Sequence, residues 1–234
     1  GLGDVYKRQL NNCVDDSSVL TNNNLPFMGV TSTFLKGKIP CRIARISFSG
    51  ELAFEIYVKS DFANTMMDLI WKNVQKYDGC LYGLEALGAL RIEKGHVTAA
   101  ELDGRVTIDD AGLSKMASVK KSYIGSAMRK RGVLSDDDRE ILVGFFPQDL
   151  KETFNAGTIV CEEKSIKGQG IGRITSVTYS PELGHHIGIG FVKGGLNIWK
   201  DKTLVGADPV RKKQTKLKVV SPHMIDPSGE RMYA

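Results

Sequence analysis

The stretch KIPCRIARISFSGELAFEIYVK, residues 38–59, decides the fold because apolar and polar residues alternate along two successive arms. Alternation with a period of two is typical of a half-buried β-strand. We predict two strands joined by a tight turn at Ser49-Gly50, since glycine tolerates the positive φ of such turns. The side chains expected to face the core from the first arm are Ala44, Ile46 and Phe48.

The second arm places a glutamate among bulky strand residues. The side chains expected to face the core here are Leu52, Phe54, Ile56 and Val58. Glu55 is therefore expected on the opposite face. Because glutamate is depleted in strands, it is either a solvated residue, which is the common case, or a carboxylate directed into a site. Glu51 shares its face but lies about 13 Å away along the strand, too far for a glycosidase pair.

The composition is that of a soluble globular protein, with 41% hydrophobic and 25% charged residues among 234. No apolar run reaches the roughly 18 residues that cross a bilayer, and the N-terminus lacks a secretory signal, so no membrane association is expected. Four widely separated cysteines favour a reduced, cytoplasmic setting. The net charge of +5 comes without interleaved aromatic residues, which predicts no nucleic-acid partner.

The chain divides into three predicted regions. Residues 1–37 are expected to be a foreign scar of nine residues followed by the truncated end of an upstream domain, because this region is polar and loosely patterned. Residues 38–135 are expected to form an α+β part, with helices on one face of a mainly antiparallel sheet. Residues 136–234 carry an all-β texture and predict a C-terminal antiparallel barrel.

Two amphipathic helices are predicted within the α+β part. The first begins at an Asp61 N-cap and ends near Gly79. The second runs from Leu84 to Lys94 and is stopped by Gly95. The leucines expected to form its apolar stripe are Leu84, Leu87 and Leu90. Residues 98–118 then predict a polar excursion of the kind that often lines a site, and residues 123–130 a short basic helix.

Six strands are predicted for the barrel, separated by Gly, Pro, Asn and Asp at spacings of about ten to fifteen residues. The segments are ILVGFF, GTIVCEE, GIGRITSVTYS, HIGIGFV, TLVGA and PVRKKQTKLKVVS. The adjacent pair His185-His186 falls in the fourth strand, where neighbouring side chains point to opposite faces. These histidines could not share one ion, so no metal site is predicted.

Two charged residues on the second helix are ambiguous from the residues alone. Arg91 and Glu93 lie near its C-terminal end. A solvated or capped helix-end pair is the ordinary account. His96, just after the helix, is either a general base or an ordinary loop histidine.

Five separated motifs together resemble one family. They are RISFSGELAFEIYV, YGLEALGALRIEKGH, ELDGRVTIDDAGL, KKSYIG and VTYSPELGHHIGIGFV. In this order they are similar to the aminomethyltransferase family of folate-binding proteins, and within it to the C-terminal region of heterotetrameric sarcosine oxidase α subunits. The resemblance covers residues 38–234 and implies a partial folate-binding domain completed by a C-terminal β-barrel.

The resemblance also implies roles for individual residues. Glu55 matches the family glutamate that contacts the folate pterin, with Tyr57 and Arg91 as further folate-binding candidates. Gly50 and Glu51 are expected, from turn chemistry, to form the turn of the site that sets the register of the two strands. The catalytic residue is unknown, because the family's catalytic aspartate is expected upstream of this sequence. Aminomethyltransferases proper carry an arginine where this sequence has Leu87, which favours the oxidase.

What the resemblance implies for activity is an oxidoreductase component that binds tetrahydrofolate and captures the one-carbon unit released by oxidative demethylation of sarcosine. FAD or FMN and NAD are expected in the complete enzyme, with β, γ and δ subunits as partners, and the fragment alone is expected to be inactive. The alternatives are the aminomethyltransferase of the glycine cleavage system and the folate module of a dimethylglycine or sarcosine dehydrogenase.

Overall fold

The computed structural model describes residues 2–163 and 169–233, apart from the side chains of residues 2–4. Two compact units are present: one holds the residues up to Leu87 and those from Ser228, and the other runs from Gly88 to Pro227. The described helices are α1 Leu2–Asn11, α2 Ala63–Gln75, α3 Leu84–Lys94, α4 Ser126–Arg129, α5 Gly195–Trp199 and α6 Glu230–Tyr233. The described strands are β1 Val30–Leu35, β2 Ile39–Ala44, β3 Glu55–Val58, β4 Glu140–Pro147, β5 Ile159–Cys161, β6 Gly172–Ser180, β7 His185–Lys193, β8 Thr203–Asp208 and β9 Lys213–Val220.

The first unit contains an antiparallel sheet in the order β1-β2-β3. Its two strands from the deciding stretch are present, but the predicted tight turn is wrong. Ala44 pairs with Glu55, so residues 45–54 form a ten-residue connection in place of a two-residue turn. Gly50 lies within it at φ +86. The positive φ was therefore predicted correctly and the turn around it was not.

The inward face of β2 differs in part from the prediction, although Ala44 is buried as predicted. Ile39, Cys41 and Ile43 are buried, and the residues between them are exposed. Phe48 is exposed, whereas Arg45 is buried, because its guanidinium donates to Asn22 Oδ1 at 2.7 Å and to the Leu25 carbonyl at 3.3 Å. Side-chain and backbone acceptors thus engage a guanidinium that the alternation had assigned to solvent.

The core of the first unit lies between the sheet and helices α1 and α2. From β3, Ile56 and Val58 pack against it together with Phe54, as the alternation predicts. The residues of the predicted first helix that pack there are Phe62, Met66, Leu69 and Ile70. Helix α1 covers most of the nine residues that the sequence sets apart, and Leu10 belongs to this core. The origin of those residues and the boundaries at residues 37 and 135 stay predictions.

Helix α3 has the predicted bounds and ends at Gly95, which has φ +77. Its predicted apolar stripe is wrong at the N-terminal end, since Leu84 is 86% exposed. Burial is concentrated in the last turn, where Arg91, Ile92, Glu93 and Lys94 are all buried. Three charged side chains therefore need internal partners.

Strands β4 to β9 close into an antiparallel barrel in the order β4-β7-β6-β5-β8-β9, and all six predicted strands are confirmed. Alternate residues such as Val143, Phe145 and Leu217 fill its interior. The predicted basic helix shrinks to α4, which has four residues. Among residues 2–163 and 169–233, none of the helices combines the length and apolarity needed to cross a bilayer.

Candidate functional site

Strand β3 carries the carboxylate that sequence reasoning singled out. Ile56 and Val58 turn toward the core of the first unit, so Glu55 and Tyr57 turn to the opposite face. Both are exposed, and Tyr57 retains 49% of its accessible surface. The orientation of Glu55 away from the core is confirmed. A carboxylate and a phenol are thereby presented side by side on one strand.

Glu55 and Tyr57 are also joined to each other. The Tyr57 hydroxyl donates a hydrogen bond to Oε2 of Glu55. This bond raises the pKa of Tyr57, because ionisation would remove the donor and place two negative charges together. Arg42 is the cross-strand neighbour of Tyr57 in β2. The phenol therefore remains a donor that orients the carboxylate across neutral pH.

The two predicted turn residues occupy the connection between β2 and β3. The Gly50 N–H donates to Ser47 Oγ at 3.0 Å, and Gly50 is buried. Glu51 accepts a hydrogen bond from Arg231 Nη1 at 3.0 Å. These contacts fix the connection within the first unit and engage the carboxylate of Glu51. Of the two carboxylates in this stretch, Glu55 is therefore better placed than Glu51 to bind a ligand.

Arg91 belongs to the second unit. It is buried, so it is not the solvated helix-end residue that the sequence alone would suggest. Its Nη1 lies 2.9 Å from Oε2 of Glu101, and its Nη2 donates to Ser176 Oγ at 2.7 Å. Glu101 is fully buried. The guanidinium therefore fastens the end of α3 to strand β6. Its identified bonds are internal, which suits a supporting residue better than a direct ligand contact.

Glu93 is internal as well. Its carboxylate accepts a hydrogen bond from Ser180 Oγ in β6, and its carbonyl accepts the N–H groups of Met224 and Ile225. Lys94 pairs with Asp226 at 3.0 Å. The last turn of α3 is thus held from two directions within the second unit.

Sequence reasoning missed two buried acidic residues of the second unit, Glu101 and Asp110. Oε1 of Glu101 accepts hydrogen bonds from Thr175 at 2.7 Å and Ser176 at 2.6 Å. Asp110 is 2% exposed, and Nε and Nη2 of Arg139 both donate hydrogen bonds to its carboxylate. Residues 98–118 are therefore a set of internal anchors, not only a polar excursion. A sequence signal was available, since both acids stand three residues after a threonine whose N–H they accept.

Burial alone would raise the pKa of Glu101, but the hydrogen bonds that it accepts outweigh burial. Ser176, the Thr98 N–H, Thr175 and the charge of Arg91 together hold the pKa of Glu101 below its usual value of 4.5. The group is therefore a carboxylate at neutral pH, and its negative charge compensates the guanidinium of Arg91.

A cavity of about 290 Å³ in the second unit is lined in part by Asp110 and Arg139. Three arginines line it around Phe191, and each of them has a carboxylate partner. The pairs are Arg105 with Asp103, Arg139 with Asp110, and Arg173 with Glu140. Because the charges compensate one another, the cavity offers no excess positive charge to an anion.

Two family models match the chain in succession. Residues 7–121 match the GCVT N-terminal domain, and residues 141–226 match the glycine cleavage T-protein C-terminal barrel domain. The solved structure of the glycine cleavage system aminomethyltransferase T from Bartonella henselae has a TM-score of 0.71 at 21% identity, over 88% of this chain and 55% of that chain. That likeness shows the shared fold.

Curated relatives include oxidases and aminomethyltransferases. The chain is 33% identical over 212 residues to the sarcosine oxidase subunit alpha of Rhizobium meliloti (strain 1021), across 89% of this chain and 21% of that protein. It is 32% identical over 197 residues to the formaldehyde-forming 4-methylaminobutanoate oxidase of Paenarthrobacter nicotinovorans, across 80% of this chain and 22% of that protein. The chain spans about a fifth of the length of these relatives. With an N-terminal GCVT domain followed by the matching six-stranded barrel, it belongs to the glycine cleavage T-protein family of aminomethyltransferase-like proteins.

Proposed function

We propose that the chain is the C-terminal part of a sarcosine oxidase α subunit and binds tetrahydrofolate on the Glu55 face of β3. The whole enzyme would oxidise sarcosine with O2, which is reduced to hydrogen peroxide, and hydrolysis of the resulting imine or its capture by folate would leave glycine. The one-carbon unit would leave as 5,10-methylenetetrahydrofolate, or as formaldehyde when folate is absent. The observation that carries the proposal is the exposed carboxylate of Glu55, turned away from the core and held by Tyr57.

The chemistry of this pair suits a pterin. A carboxylate has two oxygens that can accept parallel hydrogen bonds from an N–H edge such as that of an aminopyrimidine. Tyr57 engages only Oε2 of Glu55, which leaves Oε1 and a further lone pair on Oε2 for a ligand. Tetrahydrofolate, when bound, supplies the nitrogen atoms that accept the one-carbon unit. The role of this chain is to bind and orient it.

Arg91 is proposed as a supporting residue within the second unit. Its contacts with Glu101 and Ser176 make it a residue that stiffens the end of α3. Gly50 and Glu51 would likewise act by fixing the connection that precedes β3. We propose these three as supporting residues, with Glu55 and Tyr57 at the ligand.

The setting of the proposed activity follows from the oxidase relatives. We propose that the chain is a fragment, inactive by itself, of a cytoplasmic assembly with β, γ and δ subunits, in which FAD or FMN and NAD are bound outside this fragment. The proposal is supported by relatives that are named as an α subunit and are about four times as long as this chain.

The second candidate is an aminomethyltransferase of the glycine cleavage system, which the shared fold of the Bartonella henselae protein favours. Leu87 stands where those enzymes carry an arginine, which weighs against it. A related alternative is the folate module of a dimethylglycine or sarcosine dehydrogenase. A second oxidase of an N-methylated amine among the relatives keeps that alternative open.

Glu55→Gln tests the binding role. In the full-length polypeptide of which we propose this chain to be part, we expect tetrahydrofolate to bind about 10- to 100-fold more weakly, because hydrogen bonds to a charged group are each worth about 1.5 to 3 kcal/mol. Calorimetric titration measures the affinity, and flavin reduction by sarcosine should stay unchanged. The matched control is Glu85→Gln, an exposed glutamate at the start of α3. Equal affinities of wild type and Glu55→Gln would contradict the assignment.

Tyr57→Phe tests the orienting hydrogen bond. Loss of one exposed donor should weaken tetrahydrofolate binding by about two- to fivefold, less than Glu55→Gln. The two changes should not add, because Tyr57 acts through Glu55. Tyr82→Phe, on another exposed tyrosine, is the control. Additive losses in the double variant would show that Tyr57 acts independently of the carboxylate.

A further inference from the structure

Residues 114–134, called here the basic segment, combine exposed apolar side chains with unbalanced positive charge. Val119 is 93% exposed, Val133 is 79% exposed and Met116 is 73% exposed, while Ile124 has no cover at all. Single exposed apolar residues are ordinary on a protein surface. Four such residues in one short segment are typical of an interaction surface.

The charges of the basic segment have one sign. It contains Lys and Arg but neither Asp nor Glu. Arg129 is paired with Asp109. The remaining five cations are exposed, and none has an ion-pair partner within the described part of the chain: Lys115, Lys120, Lys121, Lys130 and Arg131. The segment therefore presents five exposed cations without an ion-pair partner among the described residues, and the nearest exposed acidic residues along the chain are Asp136, Asp137 and Asp138.

Two side chains of the basic segment, Arg129 and Ser114, bind the carboxylate of Asp109. Both Arg129 Nε and Nη2 donate to the carboxylate of Asp109 at 2.6 Å, and Ser114 Oγ donates to the same carboxylate at 2.5 Å. Arg129 holds the pKa of Asp109 below its usual value. Just beyond the segment, the Leu142 N–H donates to the Asp110 carbonyl at 2.8 Å. A fastened surface loses less conformational entropy on binding than a free tail does.

The shape of the basic segment favours a protein over a lipid or a nucleic acid. Its helical pieces are Ser114–Met116, Ser126–Arg129 and Gly132–Leu134. A helix that lies in a membrane interface needs a continuous apolar face over several turns. Strand-binding nucleic-acid surfaces use successive aromatic side chains, whereas Tyr123 is the aromatic residue of this segment and is half-buried.

We propose that the basic segment docks onto an acidic surface of a second subunit of the same oxidase, with Val119 and Ile124 at the apolar centre and the lysines at the rim. This inference rests on the proposed function. Interfaces of this kind place apolar side chains in the middle and charged side chains around them. Complementary charge at the rim steers the encounter and fixes the register of the two subunits.

The test is charge reversal in the complete assembly. Lys120→Glu with Lys121→Glu, in the full-length polypeptide co-expressed with its partner subunits, should weaken subunit association by at least about tenfold at low salt. The difference in association between wild type and this variant should decrease as the salt concentration rises from about 50 to about 300 mM, because salt screens the interactions of rim charges. Analytical ultracentrifugation measures the association. The matched control is Lys151→Glu with Lys212→Glu, two exposed barrel lysines that change the net charge equally.

A second variant tests the apolar centre. Val119→Ser with Ile124→Ser should weaken association at both salt concentrations. Unchanged association of both double variants would overturn the proposal. The proposal would also be overturned if the wild type bound phosphatidylglycerol vesicles or a single-stranded oligonucleotide and the Lys120→Glu, Lys121→Glu double variant did not.

Tetrahydrofolate titration of the same preparations separates this inference from the proposed function. If the variants of the basic segment bind folate normally but associate more weakly with the partner subunits, the docking proposal is supported. A wild type that associates through this segment but binds no folate would refute the folate role and leave the docking surface standing.

Discussion

Glu101→Gln is expected to lower the free energy of unfolding of the second unit by about 3 to 5 kcal/mol, the range found when one partner of a buried ion pair is removed. Glutamine keeps the shape of the side chain but leaves the charge of Arg91 without its carboxylate in a buried position. Urea denaturation of the chain measures the loss. In a Trp71→Phe background, Trp199 is the single tryptophan and reports on the second unit.

The control for this prediction is an exposed pair in the same unit. Asp201 lies 3.2 Å from Lys218, with both side chains about half exposed. Because exposed pairs are worth roughly 0 to 1 kcal/mol, Asp201→Asn should be nearly neutral. Equal losses for the two variants would show that burial of Glu101 does not determine the effect.

The pH dependence follows from the lowered pKa of Glu101. A carboxyl whose pKa is lower in the folded state stabilises it at any pH above the unfolded value, here 4.5, and loses that contribution as pH falls through the folded pKa. The difference in free energy of unfolding between wild type and Glu101→Gln should therefore be constant above about pH 5. It should decrease as the pH falls below 4.5. A difference that widened on acidification would contradict the assignment of Glu101 as a buried carboxylate.

The strands and helices were predictable because their periodicity is local. All six barrel strands and the bounds of α3 follow from alternation, helical spacing and glycine positions. The direction of Glu55 follows from the same alternation. The resemblance supplied what periodicity could not, namely a ligand that such a carboxylate could serve.

The wrong predictions have a common physical cause. Whether these charged side chains are buried depends on hydrogen-bond partners that are distant in sequence. Arg45 reads as an outward residue, yet Asn22 and the Leu25 carbonyl accept its hydrogen bonds. Arg91 is 85 residues away from Ser176. Local periodicity contains no information on such partners. The repeated threonine-to-acid spacing at Glu101 and Asp110 is an exception, because it marks a local hydrogen bond that sequence reasoning could have used.

Gly95→Ala is expected to lower the free energy of unfolding of the second unit by about 3 kcal/mol. Gly95 has φ +77, a conformation that costs alanine about 1 kcal/mol or more. An added Cβ would also lie 2.5 Å from the Pro222 carbonyl oxygen and 2.8 Å from its carbon. These are backbone atoms, so the neighbouring segment would have to move. Urea denaturation followed by Trp199 fluorescence measures the loss.

Gly88→Ala separates this steric effect from the general effect of replacing glycine. Gly88 lies inside α3, and an added Cβ would have no atom within 4 Å. Because alanine favours helix over glycine by about 0.5 to 1 kcal/mol, this variant should be stabilised. The two substitutions, seven residues apart and chemically identical, should therefore have opposite signs. A stabilised Gly95→Ala would mean that the contact with Pro222 does not constrain the end of α3. A clear loss of stability in Gly95→Ala alone would show that this glycine has two roles. It ends the helix, and it leaves room for residues 224–226, which bind Glu93 and Lys94.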